Sequence, residues 1–183
     1  MRVLVACEFS GTVREAFRKQ GCDAWSCDVL ATEQPGQHLR CDVRDVLNDH
    51  WDLMICHPPC THLAVSGARW FKHKQQEQAD ALDFVRLLLS APIARIALEN
   101  PISIISSKIR KPDQIVQPYM FGDPYMKTTC LWLKALPKLV ATNIVEGREQ
   151  QCWKEPPSPD RWKKRSRTYQ GIADAMAAQW SKV

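Results

Sequence analysis

The chain has no Cys-x-x-Cys pair, and this absence bounds how its eight cysteines are used. Structural zinc sites draw ligand pairs from separate elements. Here only one local cluster exists, Cys56, His57, Cys60 and His62, with no second pair, so no metal site is expected. A secreted disulfide scaffold is excluded on other grounds. At 183 residues the chain can build one real core, and its cysteines lie in or beside apolar strand-like runs. Most therefore read as small core residues. No stretch approaches the ~20 apolar residues of a membrane span. Internal repeats and low-complexity tracts are also missing. The N-terminal run Met1–Cys7 is too short for a signal peptide and passes straight into a core strand. The expectation is one cytoplasmic domain over residues 1–183, without a membrane partner.

Charge is unevenly spread. Residues 1–60 hold six Lys/Arg against nine Asp/Glu, whereas residues 61–183 hold nineteen against eleven. Within Arg148–Arg167 there are seven basic and three acidic residues. An acidic half beside a basic half suits an anionic partner on one side only.

Along the chain, strand and helix patterns alternate. Strands are expected at Arg2–Cys7, Ala24–Asp28, Asp52–Cys56, Arg95–Leu98 and Thr128–Leu133. Helices are expected at Thr12–Gln20, Gln75–Leu89 and Ile172–Trp180, the last closing the chain. The segment 137–167 lacks periodicity and contains Pro156-Pro157-Ser158-Pro159, so it reads as an irregular basic excursion. Its Trp153 and Trp162 lie among Lys and Arg, a mixture that can stack on bases or anchor a loop. Alternating elements predict an α/β fold with a mostly parallel, doubly wound sheet. Ligands in such sheets sit beyond the carboxyl ends of the strands. At those ends stand Glu8-Phe9-Ser10-Gly11, Asp28-Val29, His57-Pro58-Pro59-Cys60 and Glu99-Asn100-Pro101.

Two prolines stiffen the chain just before Cys60 and can present its thiol at a fixed angle. Glu99 ends the apolar run Ile96-Ala97-Leu98, where a carboxylate is costly without a partner or a task. Burial is expected to raise its pKa, as a proton donor requires. A thiol and a buried acid at two strand ends suit attack on an electron-poor heterocycle.

With these residues in order, the chain resembles the DNA cytosine-5 methyltransferases, particularly short phage and prophage members. Phe9-Ser10-Gly11 looks like that family's cofactor loop, Asp28 with Val29 like its ribose-binding acid, and Asp42-Val43 like the pair beside adenine. Pro58-Pro59-Cys60 matches the nucleophile motif and Glu99-Asn100 the Glu-Asn motif. Phe121-Gly122-Asp123-Pro124, with Lys127 and Thr129, resembles a later substrate-contacting strand. The resemblance implies a Rossmann-like, S-adenosylmethionine-dependent methyltransferase fold. It further implies S-adenosylmethionine as cofactor, held by Phe9, Ser10, Gly11, Asp28, Val29, Asp42, Val43 and Pro58. Cys60 and Glu99 would be catalytic. Asn100, Lys127 and Thr129 would meet DNA, as would Arg69 in a loop that Ser66-Gly67 can hinge.

The chain departs from the family at several points. Thr12-Val13 follows Gly11 without a second glycine, Cys7 stands where an acid opens the first motif, and Thr129 replaces an arginine. The stretch between Pro137 and Arg167 is also too short for a recognition domain. A protein partner supplying specificity is one consequence. Two further readings follow from the departures: a degenerate nucleic-acid-binding or regulatory protein, and the same chemistry on RNA or a free cytosine nucleotide.

Overall fold

The structure, a computed structural model, describes residues 1–150 and 156–183. Trp153 and part of the 137–167 excursion lie outside the described residues. Strands β1 (Arg2–Ala6), β2 (Asp23–Cys27), β3 (His38–Leu39), β4 (Leu53–Cys56), β5 (Arg95–Asn100), β6 (Gln114–Val116) and β7 (Thr129–Lys134) form one sheet. Its spatial order is β3-β2-β1-β4-β5-β7-β6. The first five strands run parallel, with Val3 opposite both Ala24 and Leu53, and Cys56 opposite Leu98. The last two pairings, β5 with β7 and β6 with β7, are antiparallel.

Both sheet faces are buried, which is why the strands read as continuous apolar runs. Side chains alternate across the sheet. Leu4, Met54, Ile96 and Trp132 face helix α2 (Gln75–Leu89) through its Leu82, Val85 and Leu88. Val3, Val5, Leu53, Ile55 and Leu131 face the other way. On that side they meet α1 (Thr12–Lys19) through Val13, Ala16 and Phe17. A short α3 (Ile105–Lys108) follows β5, and α4 (Arg161–Ser166) precedes the closing α5 (Gln170–Trp180). Helix α5 packs on α1 and buries Ile172, Met176 and Trp180.

The chain runs outward from β1 through β2 to β3, then returns to place β4 on the other side of β1. This reversal opens a crevice at the carboxyl ends of β1 and β4, the position where doubly wound sheets hold ligands.

Several expectations need correction. The short strands β3 and β6 carry too few residues to show a period. The excursion is not wholly irregular, because Arg161–Ser166 is helical. The segment holding Ser66 and Gly67 is not an open loop but a series of 3₁₀ turns over Val65–His73. Strand β1 stops one residue early, because Cys7 takes a left-handed φ of 59° and turns the chain off the sheet. Among the described residues no helix is long and apolar enough to cross a membrane.

Candidate active site

The loop after β1 is built around a buried acid. The Glu8 carboxylate accepts the Val13 N–H (2.6 Å), the Arg14 N–H (3.2 Å) and the Ser10 hydroxyl (3.2 Å). These backbone groups belong to the first turn of α1, which has no earlier carbonyl to bond. Burial pushes the Glu8 carboxyl above its ordinary 4.5, while the charge of His57 and the donated hydrogen bonds act the other way. Gly11 stands at the α1 N-cap with φ 75°, and a Cβ there would lie 2.7 Å from Arg14 Nη2. Phe9 is buried, its ring 5.9 Å from that of Trp162, so Trp162 anchors α4 onto this loop.

Beyond β1 and β2 lies an open cleft. Asp28, Val29, Asp42 and Val43 all line it, together with Pro59 and Phe84. The four sequence-predicted residues from two separate segments are thus brought together. Asp28 is pushed above its ordinary value by burial, opposed by the Leu30 N–H, which it accepts at 2.9 Å, and by His38. Asp42 accepts the Arg44 N–H at 2.9 Å and caps a 3₁₀ turn. Two carboxylates over walls of Val43, Pro59 and Phe84 form a donor set suited to a nucleoside, with hydroxyls for the acids and a flat base for the apolar walls. S-adenosylmethionine fits that chemistry. Phe9, Ser10 and Gly11 are packed within the adjoining loop and are not part of the cleft wall.

Cys60 is exposed, the one exposed cysteine among the described residues. The other thiols near the crevice are held inert by burial, which pushes Cys7 up to about 12 and Cys56 well above 9.0. The segment before Cys60 is fixed at two points. His57 N–H donates to Ala6 O (3.0 Å), and the Asn100 side-chain amide donates to Pro58 O (3.0 Å). Asn100 is buried, and its Oδ1 has no partner among the described residues. Its amide is therefore occupied in tying the Cys60 loop to β5.

Glu99 corrects the sequence expectation. Burial does act to raise its pKa, but the net direction is downward from 4.5. The cause is His57, whose Nδ1 lies 3.1 Å from Glu99 Oε2, with both side chains about nine-tenths buried (13% and 10% exposed). The charge of Lys127 and the Thr168 hydroxyl, which donates to Oε2 at 3.2 Å, add to it. For His57, desolvation alone would lower the pKa. The hydrogen bond and charge of Glu99, with Glu8, outweigh it and leave the pKa raised. Both directions favour the ionised form of the pair, carboxylate with imidazolium.

The remaining predicted residues divide. Lys127 reaches the site through its charge, and its Nζ donates to Arg167 O at 2.9 Å. Thr129 is buried and its hydroxyl is used on Lys127 O (3.1 Å). Arg69 lies in the 3₁₀ segment with its guanidinium over the Trp70 ring, 5.1 Å from the centroid. Glu8, His57 and Thr168 were not among the predicted site residues. His57 and Glu8 stood at strand ends in reactive company, a signal that was available. Thr168 carried none, because only the folded-back C-terminal segment brings it to Glu99. Among the described residues no group of three or more His, Cys, Asp and Glu is placed to hold a metal ion.

No protein-family model matches the chain, and no curated protein matches it. Among solved structures it is similar to an E. coli protein described as a candidate DNA modification methyltransferase encoded within a prophage. The TM-score is 0.56 at 16% identity, over 86% of this chain and 55% of the other. The chain thus spans about half the length of that protein. At this identity the likeness speaks to the fold. With the strand order β3-β2-β1-β4-β5-β7-β6 and helices on both faces, the chain has a Rossmann-like methyltransferase fold.

Proposed function

We propose that this chain transfers a methyl group from S-adenosylmethionine to C5 of cytosine in DNA, with Cys60 as the nucleophile. The observation that carries the reading is the placement of Cys60. It is exposed beside Pro59, which forms part of the cleft wall, and its loop is pinned by Asn100 to the strand that carries Glu99. The structural neighbour, described as a candidate DNA modification methyltransferase, supports the same class of reaction.

In this reading Asp28 holds the ribose hydroxyls and Asp42 with Val43 lies beside the adenine, with Pro59 against an apolar face of the nucleoside. Bound there, S-adenosylmethionine supplies an electrophilic methyl group. The Cys60 thiolate adds to C6 of the base, which makes C5 nucleophilic. Glu99, protonated as the adduct forms, donates to N3 and offsets the charge that develops in the ring. Loss of the C5 proton to solvent and elimination of Cys60 restore aromaticity. In a duplex the target base leaves the stack first, at a cost of a few kcal/mol. The residues 1–183 act here as one catalytic domain. With the stretch between Pro137 and Arg167 too short for a recognition domain, a protein partner supplies sequence selection.

The test is trapping with 5-fluorocytosine DNA, whose C5 fluorine blocks release of the enzyme. The expected result is a denaturation-resistant adduct that requires S-adenosylmethionine and is absent in Cys60→Ser. An adduct of equal yield in Cys60→Ser would overturn the assignment. Labelling of RNA or dCMP in place of DNA would move the acceptor and keep the chemistry.

A further inference from the structure

We propose that His57 is a positioning residue for Glu99, an inference that rests on the reaction proposed above. Its Nδ1–H fixes one carboxylate oxygen, leaves the other to meet the base, and supplies the proton that N3 takes up. Two donors, His57 Nδ1–H at 3.1 Å and Thr168 Oγ1–H at 3.2 Å, converge on Oε2 of Glu99. Among the described residues no hydrogen bond is made to Oε1. Holding one oxygen from two directions fixes the plane of the carboxylate and aims the other, which is worth orders of magnitude in rate when a reacting group must be placed to within an ångström.

The histidine is itself held. Its backbone N–H donates to Ala6 O, and the residue after it is tied by Asn100. Its Nε2 is buried without a partner among the described residues. The charged groups that act on the ring come from three elements: Glu8 from the loop after β1, Glu99 from β5 and Lys127 from the segment before β7. Two carboxylates against one ammonium favour a proton on the ring, and Lys127 limits how firmly it is kept.

The proton balance is closed. As the Cys60 sulfur bonds to C6, the C5–C6 π pair becomes the nucleophile at C5. One proton moves from Nδ1 to Oε2 of the Glu99 carboxylate, and a half-turn of the carboxyl about its Cγ–Cδ bond, within the same plane, delivers it to N3 and leaves neutral imidazole. When Cys60 is eliminated, N3 returns that proton through Glu99 to His57, while the proton from C5 goes to solvent. The pair ends each cycle as it began.

The experiment measures methyl transfer to cytosine-containing DNA, and 5-fluorocytosine trapping, across pH for the wild type, His57→Ala and His57→Asn. In the wild type the rate falls at high pH as the ring loses its proton. His57→Ala is expected to slow turnover roughly 100-fold, with KM for DNA changed by less than about threefold. His57→Asn keeps a donor near the Nδ1 position without a titrating ring. It is expected to regain rate at low pH, where Glu99 itself is protonated, and to show a basic limb moved downward. An Ala variant within about threefold of wild type, with the same pH profile, overturns the role. If that variant fails to fold, an Asn profile superimposable on wild type overturns it. Absence of adduct in the wild type defeats the proposed function instead, and the role with it.

Discussion

Arg14 is fully buried and its guanidinium is the brace of the candidate cofactor cleft. Nη1 donates to Ser26 Oγ (3.0 Å) and Thr32 Oγ1 (3.2 Å), and Nη2 to the carbonyls of Gln34 (2.9 Å) and Pro35 (3.2 Å). Nε donates to Glu15 Oε1 at 2.7 Å. The group thus joins α1 to the segment between β2 and β3, which begins at Asp28. Gly11 and Gly36 leave room for it, since a Cβ at either would come within 2.8 Å of Nη2. Arg14→Ala removes all five bonds and opens a void. Removing one partner of a buried charged pair costs about 3–5 kcal/mol. Glu15 keeps 30% exposure and is not stranded, so the lower end applies, about 3 kcal/mol. For a chain of this size that corresponds to a Tm lower by about 6–12 °C. Arg14→Lys, with a point charge in place of a planar fork, should fall between. Chemical denaturation measures the stability, and calorimetry with S-adenosylmethionine should show weaker binding in the same order. A loss below about 1 kcal/mol for Arg14→Ala would refute the brace.

Three other outcomes are expected. Gly171→Ala would place a Cβ against the Phe121 carbonyl oxygen, a backbone atom that cannot rotate away, while the Gly171 N–H bond to Asp123 (3.0 Å) holds the helix in place. Thermal melting should register about 1–3 kcal/mol or more of destabilisation. Asp28→Ala should weaken S-adenosylmethionine binding about 10- to 100-fold in a calorimetric titration, as expected for loss of charged hydrogen bonds, with melting temperature little changed. The His57–Glu99 pair also predicts a pH window. The lowered Glu99 contributes stability above its ordinary 4.5, lost as pH falls through its folded value. The raised His57 contributes below its ordinary 6.5, lost as pH rises through its folded value. The stability gap between wild type and Glu99→Gln should therefore be widest between pH 4.5 and 6.5 and narrow on both sides, and a gap independent of pH would refute the pairing.

Sequence patterns identified the strands that lie inside the sheet, because burial on both faces writes an unbroken apolar run. The edge strands β3 and β6 are two and three residues long and write nothing. The antiparallel insertion of β7 between β5 and β6 was equally hidden. Strand pairing is set by crossovers between distant segments, and no local period records it. Asp28 was readable as an acid at a strand end, where the fold rule for open sheets puts a ligand, whereas Asp42 came only from the family resemblance, because β3 before it is too short to show a period.

Glu99 marks the boundary between the two kinds of information. The sequence by itself determined that a carboxylate ends an apolar strand, that a thiol follows two prolines at the end of another, and that both meet at one edge of an α/β sheet. It also determined that such a carboxylate, if alone, would be pushed toward its neutral form. Whether it is alone was decided only by the tertiary structure. Parallel pairing of β4 with β5 carries His57 to Glu99, and the folded-back C-terminal segment adds Thr168 to the same oxygen. Desolvation depends on the depth of one residue, whereas charge pairing depends on which other residue arrives beside it. Between these opposed effects, the pairing wins.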